Sequence, residues 1–235
     1  MLRAWAREHR ELFDDPAADA ATVLASLGDI ARANHWFGGA AAAVSRLDEF
    51  FRAAPPGAAL TLLDVGTGDG DIPRTAQRRA ASRGLHLRLV GLERHRAAAR
   101  LAARGGALAP LLADARALPI AAGAVDLVLC SQLLHHFAGP ALVAAIAELS
   151  RVARLGVVVS DLRPSAVAAF GFWLAGIPLR FHPVTRRDGF VSVLRGFTPA
   201  ALARACRDAG VAARVRTHPG FRITAAWAVR PAGSA

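Results

Sequence analysis

The sequence predicts an α/β fold of the Rossmann-like type, with a doubly wound and mostly parallel sheet. Between residues 59 and 163, short and continuously apolar runs alternate with helical patterns, which is typical of parallel strands buried on both faces. Helical patterns alone fill residues 1–58, and an apolar segment punctuated by Gly and Pro interrupts the alternation at residues 164–197. Two further strand patterns, joined by His218-Pro219-Gly220, predict a C-terminal antiparallel hairpin.

These patterns divide the chain into four parts of one domain. We expect an N-terminal helical cap at 1–58, a Rossmann-like core at 59–163, a lid insertion at 164–197, and a closing helix and hairpin at 198–235. The predicted strands are 60–65, 87–92, 111–113, 125–130, 156–160, 212–217 and 222–230. The last helix should begin after Thr198, its N-cap, and end before Gly210.

Length and composition fit one compact domain, since the chain has 235 residues of which 54% are hydrophobic and 20% are charged. The formal net charge is +11, but every basic residue is Arg, and these residues are spread along the chain without a basic block. We therefore expect no nucleic-acid partner, although so basic a chain leaves that alternative open. Cys130 and Cys206 are too few for a disulfide framework and predict buried free thiols.

The sequence predicts neither a signal peptide nor a membrane span. Residues 1–10 are charged and interrupted, without the apolar run that a signal peptide needs. The longest apolar stretch, residues 167–181, is too short to span a bilayer and contains Gly171, Gly176 and Pro178. We expect a cytoplasmic protein, a monomer or homodimer, without stable membrane insertion.

The strongest motif is the turn Asp64-Val65-Gly66-Thr67-Gly68-Asp69-Gly70-Asp71, which follows the first predicted strand and opens a helix. Glycines at such a turn let the backbone approach a ligand closely. A dinucleotide fingerprint would carry its third glycine one residue later, where this chain has Asp71. The three acids of the turn would repel pyrophosphate and suit a ligand that carries an ammonium and a sulfonium group. A tight turn without a ligand is the alternative.

Acidic residues also follow the next two predicted strands. Glu93 lies roughly twenty residues beyond the turn, where an acid can accept hydrogen bonds from both ribose hydroxyls. Asp114 follows the third strand and can accept a hydrogen bond from the exocyclic amine of adenine, with the N–H of Ala115 nearby. A residue that caps a loop or helix is the alternative for Asp114.

Polar residues leave the C-terminal end of the fourth predicted strand, where open α/β sheets bind their ligands. Ser131 and Gln132 are candidates for contacts with the cofactor or the acceptor, and His135 and His136 are candidates for proton transfer. Asp161, after the fifth strand, is a third candidate for proton transfer. One of two adjacent His residues often serves packing alone, which is the alternative for this pair.

Together, Asp64-x-Gly66-x-Gly68-x-Gly70, Glu93, Asp114-Ala115 and Leu134-His135-His136-Phe137 resemble the class I S-adenosylmethionine-dependent methyltransferases. The likeness is to the small-molecule branch of the bacterial secondary-metabolite type, and it is strong over residues 60–160 and weak over the hairpin. It implies S-adenosylmethionine as the cofactor, with Gly66 and Gly68 at the methionine moiety, Glu93 at the ribose and Asp114 at adenine. No metal is expected. The expected cofactor set is Arg32, Trp36, Asp64, Gly66, Thr67, Gly68, Asp71, Glu93, Arg94, Asp114, Ala115, Ser131 and Gln132.

The segment Asn34-His35-Trp36-Phe37-Gly38-Gly39 resembles the part before the core in related bacterial methyltransferases, including ones associated with polyketide-type metabolites. In those enzymes an N-terminal helix closes over the cofactor. The resemblance implies that Asn34 or Trp36 lines the pocket and that Arg32 pairs with the methionine carboxylate.

Residues 164–197 predict either a helix packed on the core or a lid over a lipophilic acceptor. Under the lid hypothesis, Phe172 and Trp173 form walls of the acceptor site, and His182 and Arg186 bind an acidic or carbonyl group. A solvated hinge is the alternative for the polar stretch 180–189.

The sequence therefore predicts methyl transfer from S-adenosylmethionine to a small lipophilic acceptor, with an oxygen of a phenolic or polyketide-like metabolite favoured over carbon or nitrogen. Such a transfer needs alignment and exclusion of water, and a hydroxyl acceptor also needs a base or a site that promotes its ionisation. Two other classes stay open. One is a nicotinamide oxidoreductase, which the crowded acids oppose, and the other is a protein that binds S-adenosylmethionine without transferring its methyl group.

Overall fold

The computed structural model describes residues 2–15, 17–104 and 106–229. They form one sheet of seven strands in the order β3-β2-β1-β4-β5-β7-β6. The strands are β1 (Ala59–Val65), β2 (His86–Glu93), β3 (Leu108–Leu112), β4 (Val125–Ser131), β5 (Ala153–Leu162), β6 (Arg214–His218) and β7 (Arg222–Ala228).

Helices cover both faces of the sheet. The described residues contain α1 (Leu2–Glu8), α2 (Ala20–Trp36), α3 (Gly39–Ala53), α4 (Asp71–Ala81), α5 (Arg96–Ala102), α6 (Gly139–Val152), α7 (Ala166–Ala175), α8 (Pro183–Arg195) and α9 (Pro199–Asp208). Two short 3₁₀ helices, Leu12–Asp14 and Leu134–His136, lie before α2 and after β4. None of the helices in the described ranges is long and apolar enough to cross a bilayer.

The pairing of the strands confirms the predicted fold class. β1 to β5 pair in parallel, whereas β7 runs antiparallel to both β5 and β6. After β3 the chain returns to the opposite side of β1 and forms β4, so the strand order reverses between β1 and β4. Open α/β sheets bind ligands outside the C-terminal ends of the strands at such a reversal.

Several element boundaries differ from the predicted ones. β3 begins three residues earlier than expected, at Leu108, and ends at Leu112. β5 extends from Ala153 to Leu162, so Asp161 lies within the strand rather than after it. The second hairpin strand was expected to reach residue 230, which lies outside the described residues; the described strand ends at Ala228.

The two faces of the sheet carry separate apolar layers, as alternation along a strand requires. Leu63 and Val65 of β1 pack with residues of α6 and α9, such as Ile146 and Leu202. Leu62 faces the other way, toward residues of α3 and α4. Both layers are almost completely buried, and they hold the C-terminal ends of the strands in fixed positions.

The predicted lid insertion consists of α7 and α8. Thr185, Val191 and Leu194 of α8 are buried, whereas Ala169 is the only buried residue of α7. After α8 the backbone passes close to β5, where the N–H of Phe197 donates to the carbonyl oxygen of Leu162 at 2.8 Å. The preceding residue, Gly196, is buried against the same carbonyl group.

The close approach at Gly196 predicts that one added methyl group will strongly lower the free energy of unfolding. A Cβ at this position would overlap the backbone carbonyl of Leu162, which no rotamer change can relieve. We expect Gly196→Ala to lower the free energy of unfolding by roughly 1–3 kcal/mol, as overpacking does. The matched control is Gly28→Ala in α2, where a Cβ has no neighbour within 4 Å. Because Gly is a poor helix former, the control should gain roughly 0.5–1 kcal/mol in urea titrations. Equal effects of the two changes would contradict this account.

Candidate active site

The glycine-rich turn lies at the C-terminal end of β1, as predicted. Gly66 and Gly68 have φ values of 77° and 57°, which other residues rarely adopt. The turn is tied to β2 because the N–H groups of Gly66 and Thr67 donate to the carbonyl oxygen of Leu92 at 2.8 and 3.1 Å. The other side of the turn faces the space beyond the C-terminal ends of the strands.

A cavity of about 870 Å³ occupies that space. It brings together residues from the turn, from the ends of β2 and β4, from α2 and from the α7–α8 region. Most of the predicted site residues line it: Asp64, Gly66, Thr67, Gly68, Asp71, Glu93, Arg94, Asp114, Ala115, Ser131, Gln132, His135, His136 and Phe172.

The acids of the turn are buried under this cavity. Asp64 is almost completely buried, and its Oδ1 atom has no hydrogen-bond partner in the described residues. Burial raises the pKa of Asp64 to about 7, and the nearby carboxylates of Asp71 and Glu93 add to this shift. Burial and the charge of Asp69 also raise the pKa of Asp71. A cationic ligand would oppose both effects, so the site fits a positively charged group.

Asp71 is connected to the far side of the cavity through a chain of polar side chains. Asn34 of α2 donates to Asp71 at 3.1 Å, and Gln132 donates to Asn34 at 2.5 Å. Arg222 of β7 donates to Gln132 at 2.8 Å. Burial lowers the pKa of Arg222 to about 10, although the charges of Asp161 and Asp71 oppose the shift. Arg222 therefore contributes a positive charge to the cavity wall at neutral pH.

The two acids that follow β2 and β3 line the cavity and already have backbone or side-chain donors. Glu93 accepts from the N–H groups of Gly68 at 3.1 Å and Arg94 at 2.8 Å. Asp114 accepts from the guanidinium of Arg116 at 2.7 and 3.0 Å, which lowers the pKa of Asp114 to about 2. Glu93 thus joins the second strand to the glycine-rich turn, and Asp114 remains ionised at neutral pH.

His135 and Asp161 form a buried pair. Nδ1 of His135 lies 2.7 Å from Oδ1 of Asp161, and the N–H of His135 donates to Oδ2 at 3.3 Å. Because a carboxylate accepts hydrogen bonds, the pair holds the proton of the neutral imidazole on Nδ1. Nε2 is buried and has no partner in the part of the chain that the structure describes. His135 therefore lines the cavity and has an unpaired lone pair on Nε2.

His136 contacts the segment before α2. Its Nδ1 lies 2.7 Å from Oδ1 of Asp14, and its Nε2 lies 3.8 Å from Oε2 of Glu11. Burial raises the pKa of Glu11, while His136, a hydrogen bond from Ser192 and the charge of Arg195 oppose the shift. Asp14 in turn accepts from Arg195 at 3.3 Å. These contacts seat the segment 11–14 against the cavity.

One ligand atom each of Glu11, His135 and His136 lies within 4.8 Å of the others, a separation that could accommodate a metal ion. The two imidazole rings lie 4.4 Å apart in planes 31° from parallel. Arg195 approaches a carboxylate oxygen of Glu11 at 3.0 Å and already supplies a positive charge there.

The structure places two predicted cofactor residues outside the cavity. Arg32 pairs with Asp29, donates to the carbonyl oxygen of Leu179 and lies over the ring of Phe181. Trp36 is 67% exposed at the end of α2. The expectation that these residues line the pocket is corrected in favour of Asn34, on the same helix, and Arg222.

Three predicted acceptor residues also lie away from the cavity wall. Trp173 is 42% exposed, and Arg186 lies 4.4 Å above its ring and donates to its carbonyl oxygen. His182 caps α8 by accepting from the N–H of Val184 at 3.3 Å. Phe172 faces inward and contacts Phe37, with ring centroids 5.8 Å apart. The wall predicted from Trp173 is thus formed by its neighbour Phe172.

Sequence reasoning missed several polar residues of the wall. Their local patterns give no signal, because Asp14 falls within the predicted helical cap and Arg222 begins a predicted strand. A charged residue at the edge of an apolar strand was the one available hint for Arg222. The missed residues include Glu11, Asp14, Asp188, Ser192 and Arg222.

Residues 63–160 match the model of a family described as a methyltransferase domain. This range runs from β1 to β5 and contains the glycine-rich turn, Glu93, Asp114 and His135. The chain matches no curated protein sequence at a significant level.

Solved structures of methyltransferases share the fold. Human N-acetylserotonin methyltransferase in complex with S-adenosylmethionine has a TM-score of 0.64 at 12% identity, covering 97% of this chain and 65% of that one. A S-adenosylmethionine-dependent methyltransferase from Aquifex aeolicus has a TM-score of 0.56 at 14% identity, over 80% and 89% of the two chains. Magnesium protoporphyrin IX methyltransferase from Synechocystis, with bound S-adenosylhomocysteine, has a TM-score of 0.53 at 18% identity, over 85% of each chain.

The family match and the fold together confirm the predicted family and its cofactor. The glycine-rich turn, the acids that follow β2 and β3, and the match over residues 63–160 agree with one another. Residues 63–160 form a methyltransferase domain, and S-adenosylmethionine is the cofactor of this domain.

Proposed function

We propose that this enzyme methylates an oxygen atom of a small lipophilic acceptor, such as a phenolic or polyketide-like metabolite of secondary metabolism. The observation that carries the proposal is the His135–Asp161 pair, because His135 lines the same cavity as the glycine-rich turn and its Nε2 has no partner in the described residues. A hydroxyl must lose its proton when it is methylated, and a neutral imidazole with a fixed lone pair is suited to accept it.

The cofactor end of the cavity is formed by the turn and the acids. S-adenosylmethionine, when bound, supplies an activated methyl group on a positively charged sulfur. The unpaired Oδ1 of Asp64 and Oγ1 of Thr67 are buried polar atoms that a ligand with ammonium and hydroxyl groups can satisfy. Glu93 would hold the ribose and Asp114 the adenine amine. Arg222, rather than Arg32, is the cation that we assign to the carboxylate of the methionine moiety.

His135 would accept the proton of the acceptor hydroxyl at Nε2. The deprotonated oxygen would then be the nucleophile toward the methyl group that bound S-adenosylmethionine would supply. Asp161 holds the Nδ1–H bond and stabilises the imidazolium that forms, because its negative charge lies 2.7 Å away. Asp161 acts as a positioning residue, since it is completely buried behind His135.

We assign the apolar part of the cavity wall to the acceptor. Phe172 of α7, together with Phe13, Leu133 and Phe137, contributes apolar wall. Burial of a hydrocarbon chain or ring there would supply binding free energy and exclude water from the sulfonium. The buried free thiols of Cys130 and Cys206 fit the reducing cytoplasm that we assign to the enzyme.

The first test concerns the acids under the turn. Because the pKa of Asp64 is raised to about 7, this carboxyl carries a proton at lower pH and attracts a cationic ligand less. Affinity for S-adenosylmethionine should fall by up to about tenfold from about pH 7 to about pH 5.5, where the ligand's α-amino group stays protonated. Calorimetry on Asp64→Asn should show a flatter dependence, with the remaining slope due to Asp71, whose pKa is also raised, and His86→Ala, on an exposed residue, should keep the full slope. An unchanged slope in Asp64→Asn would remove Asp64 from the cofactor site.

The second test concerns the proton acceptor. We expect His135→Ala to lower kcat by about 10²–10⁴ with little change in affinity for S-adenosylmethionine. Asp161→Asn should lower kcat and shift the pH profile, because the imidazole loses its fixed tautomer. The control His86→Ala removes an exposed imidazole and should leave kcat unchanged. Wild-type kcat and pH profile in His135→Ala would show that the acceptor ionises without this base.

The third test concerns the acceptor wall. Phe172→Ala should raise KM for a soluble aromatic acceptor about tenfold, because it removes apolar surface from the cavity. Trp173→Ala is the matched control on the same helix, since this ring faces solvent beneath Arg186. Equal KM values for the two variants, or a preference for small hydrophilic acceptors, would argue against a lipophilic acceptor at α7.

A further inference from the structure

α7 presents apolar side chains to solvent. Val167, Phe170, Leu174 and Ile177, here called the outer stripe, have exposed fractions of 77%, 58%, 61% and 49%. Residues three and four apart lie on the same side of a helix, so the first three are neighbours, and Ile177 extends the stripe into the following turn. Such a contiguous exposed apolar surface is rare on soluble proteins unless it binds a partner.

The composition of α7 explains why the stripe is exposed. The helix has the sequence Ala-Val-Ala-Ala-Phe-Gly-Phe-Trp-Leu-Ala, without one polar side chain. One side packs on α8 through Ala169, and Ala168, Gly171 and Phe172 line the cavity, as does the exposed Val167 at the start of the stripe. The remaining side is exposed to solvent, although leaving apolar surface in water is energetically unfavourable.

The charges around the outer stripe are positive. The chain from residue 162 to residue 187 contains no Asp or Glu and four Arg residues: Arg163, Arg180, Arg186 and Arg187. Arg187 pairs with the buried Asp188. The other three have no carboxylate partner among the described residues. An apolar stripe with cations at both ends therefore matches a partner that is apolar inside and anionic at its surface.

We propose that the outer stripe binds the surface of an anionic lipid bilayer, with α7 lying in the plane of the interface. Apolar side chains of interfacial helices enter the boundary between headgroups and acyl chains, while guanidinium groups pair with phosphates. Trp173, half exposed beneath Arg186, suits the same boundary. A second copy of this chain is disfavoured as the occupant, because a two-fold contact through the stripe would bring the same Arg residues together.

The position of α7 links this surface to the cavity. Its outer side would contact the bilayer, and its inner side forms part of the cavity wall. A lipophilic acceptor dissolved in the bilayer could then reach the cavity past one helix. This route rests on the proposed function, whereas lipid binding itself does not.

The test is cosedimentation of the full chain, without cofactor or acceptor, with vesicles of equal parts phosphatidylglycerol and phosphatidylcholine. We expect binding that weakens on pure phosphatidylcholine and at high salt, since ionic pairing is screened. Leu174→Ser with Ile177→Ser should weaken it at least about tenfold, because less apolar surface enters the bilayer. The matched control, Leu112→Ser with Leu155→Ser, alters two exposed residues of β3 and β5 and should bind like the wild type.

Three results would overturn the proposal: no binding to anionic vesicles, equal binding to neutral vesicles, or full binding by the Leu174/Ile177 variant. Light scattering that shows a dimer which this variant dissociates would assign the stripe to a second copy. Circular dichroism and calorimetry with S-adenosylmethionine confirm that each variant folds. Because vesicle binding is measured without turnover, its failure is separate from a failure of methyl transfer.

Discussion

The carboxylate of Asp161 is completely buried at the end of β5, and the surrounding chain is arranged to satisfy it. An ionised group in such a place is costly unless it is hydrogen-bonded and paired. The backbone N–H groups of His135 and Leu162 and the imidazole of His135 all donate to it, and the buried Arg222 adds a positive charge nearby. These bonds set the turn after β4, the tautomer of His135 and the placement of β7 beside β5.

The same principle organises the rest of the cavity. Asp64 and Asp71 lie among further carboxylates near the glycine-rich turn, and burial together with this negative charge raises their pKa values. Direct hydrogen bonds through the side chains of Asn34 and Gln132 connect Asp71 to the positively charged Arg222. The negative charge of this part of the site favours cationic ligands, in addition to any selection by the shape of the cavity.

Local patterns in the sequence were sufficient for the sheet, the glycine-rich turn and the acids after β2 and β3, because each depends on neighbours in the chain. Arg222 and Glu11 depend on contacts with Gln132 and Ser192, which lie 90 and 181 positions away, and no local pattern encodes such contacts. The inward and outward sides of α7 could not be predicted either. A helix without polar side chains gives no amphipathic signal, so Phe172 and Trp173 were equivalent until the fold separated them.

The segment 11–14 bears on how the cofactor is exchanged between rounds of methyl transfer. It supplies Glu11, Phe13 and Asp14 to the cavity wall, and it is fastened by polar contacts, among them those of Arg94 with the carbonyl oxygen of Phe13 and of Asp188 with the N–H of Leu12. A short wall segment held by side-chain contacts opens at a smaller free-energy cost than a strand paired within the sheet. Exchange of spent cofactor for fresh cofactor can then proceed by local rupture of these bonds while the sheet and the His135–Asp161 pair stay intact.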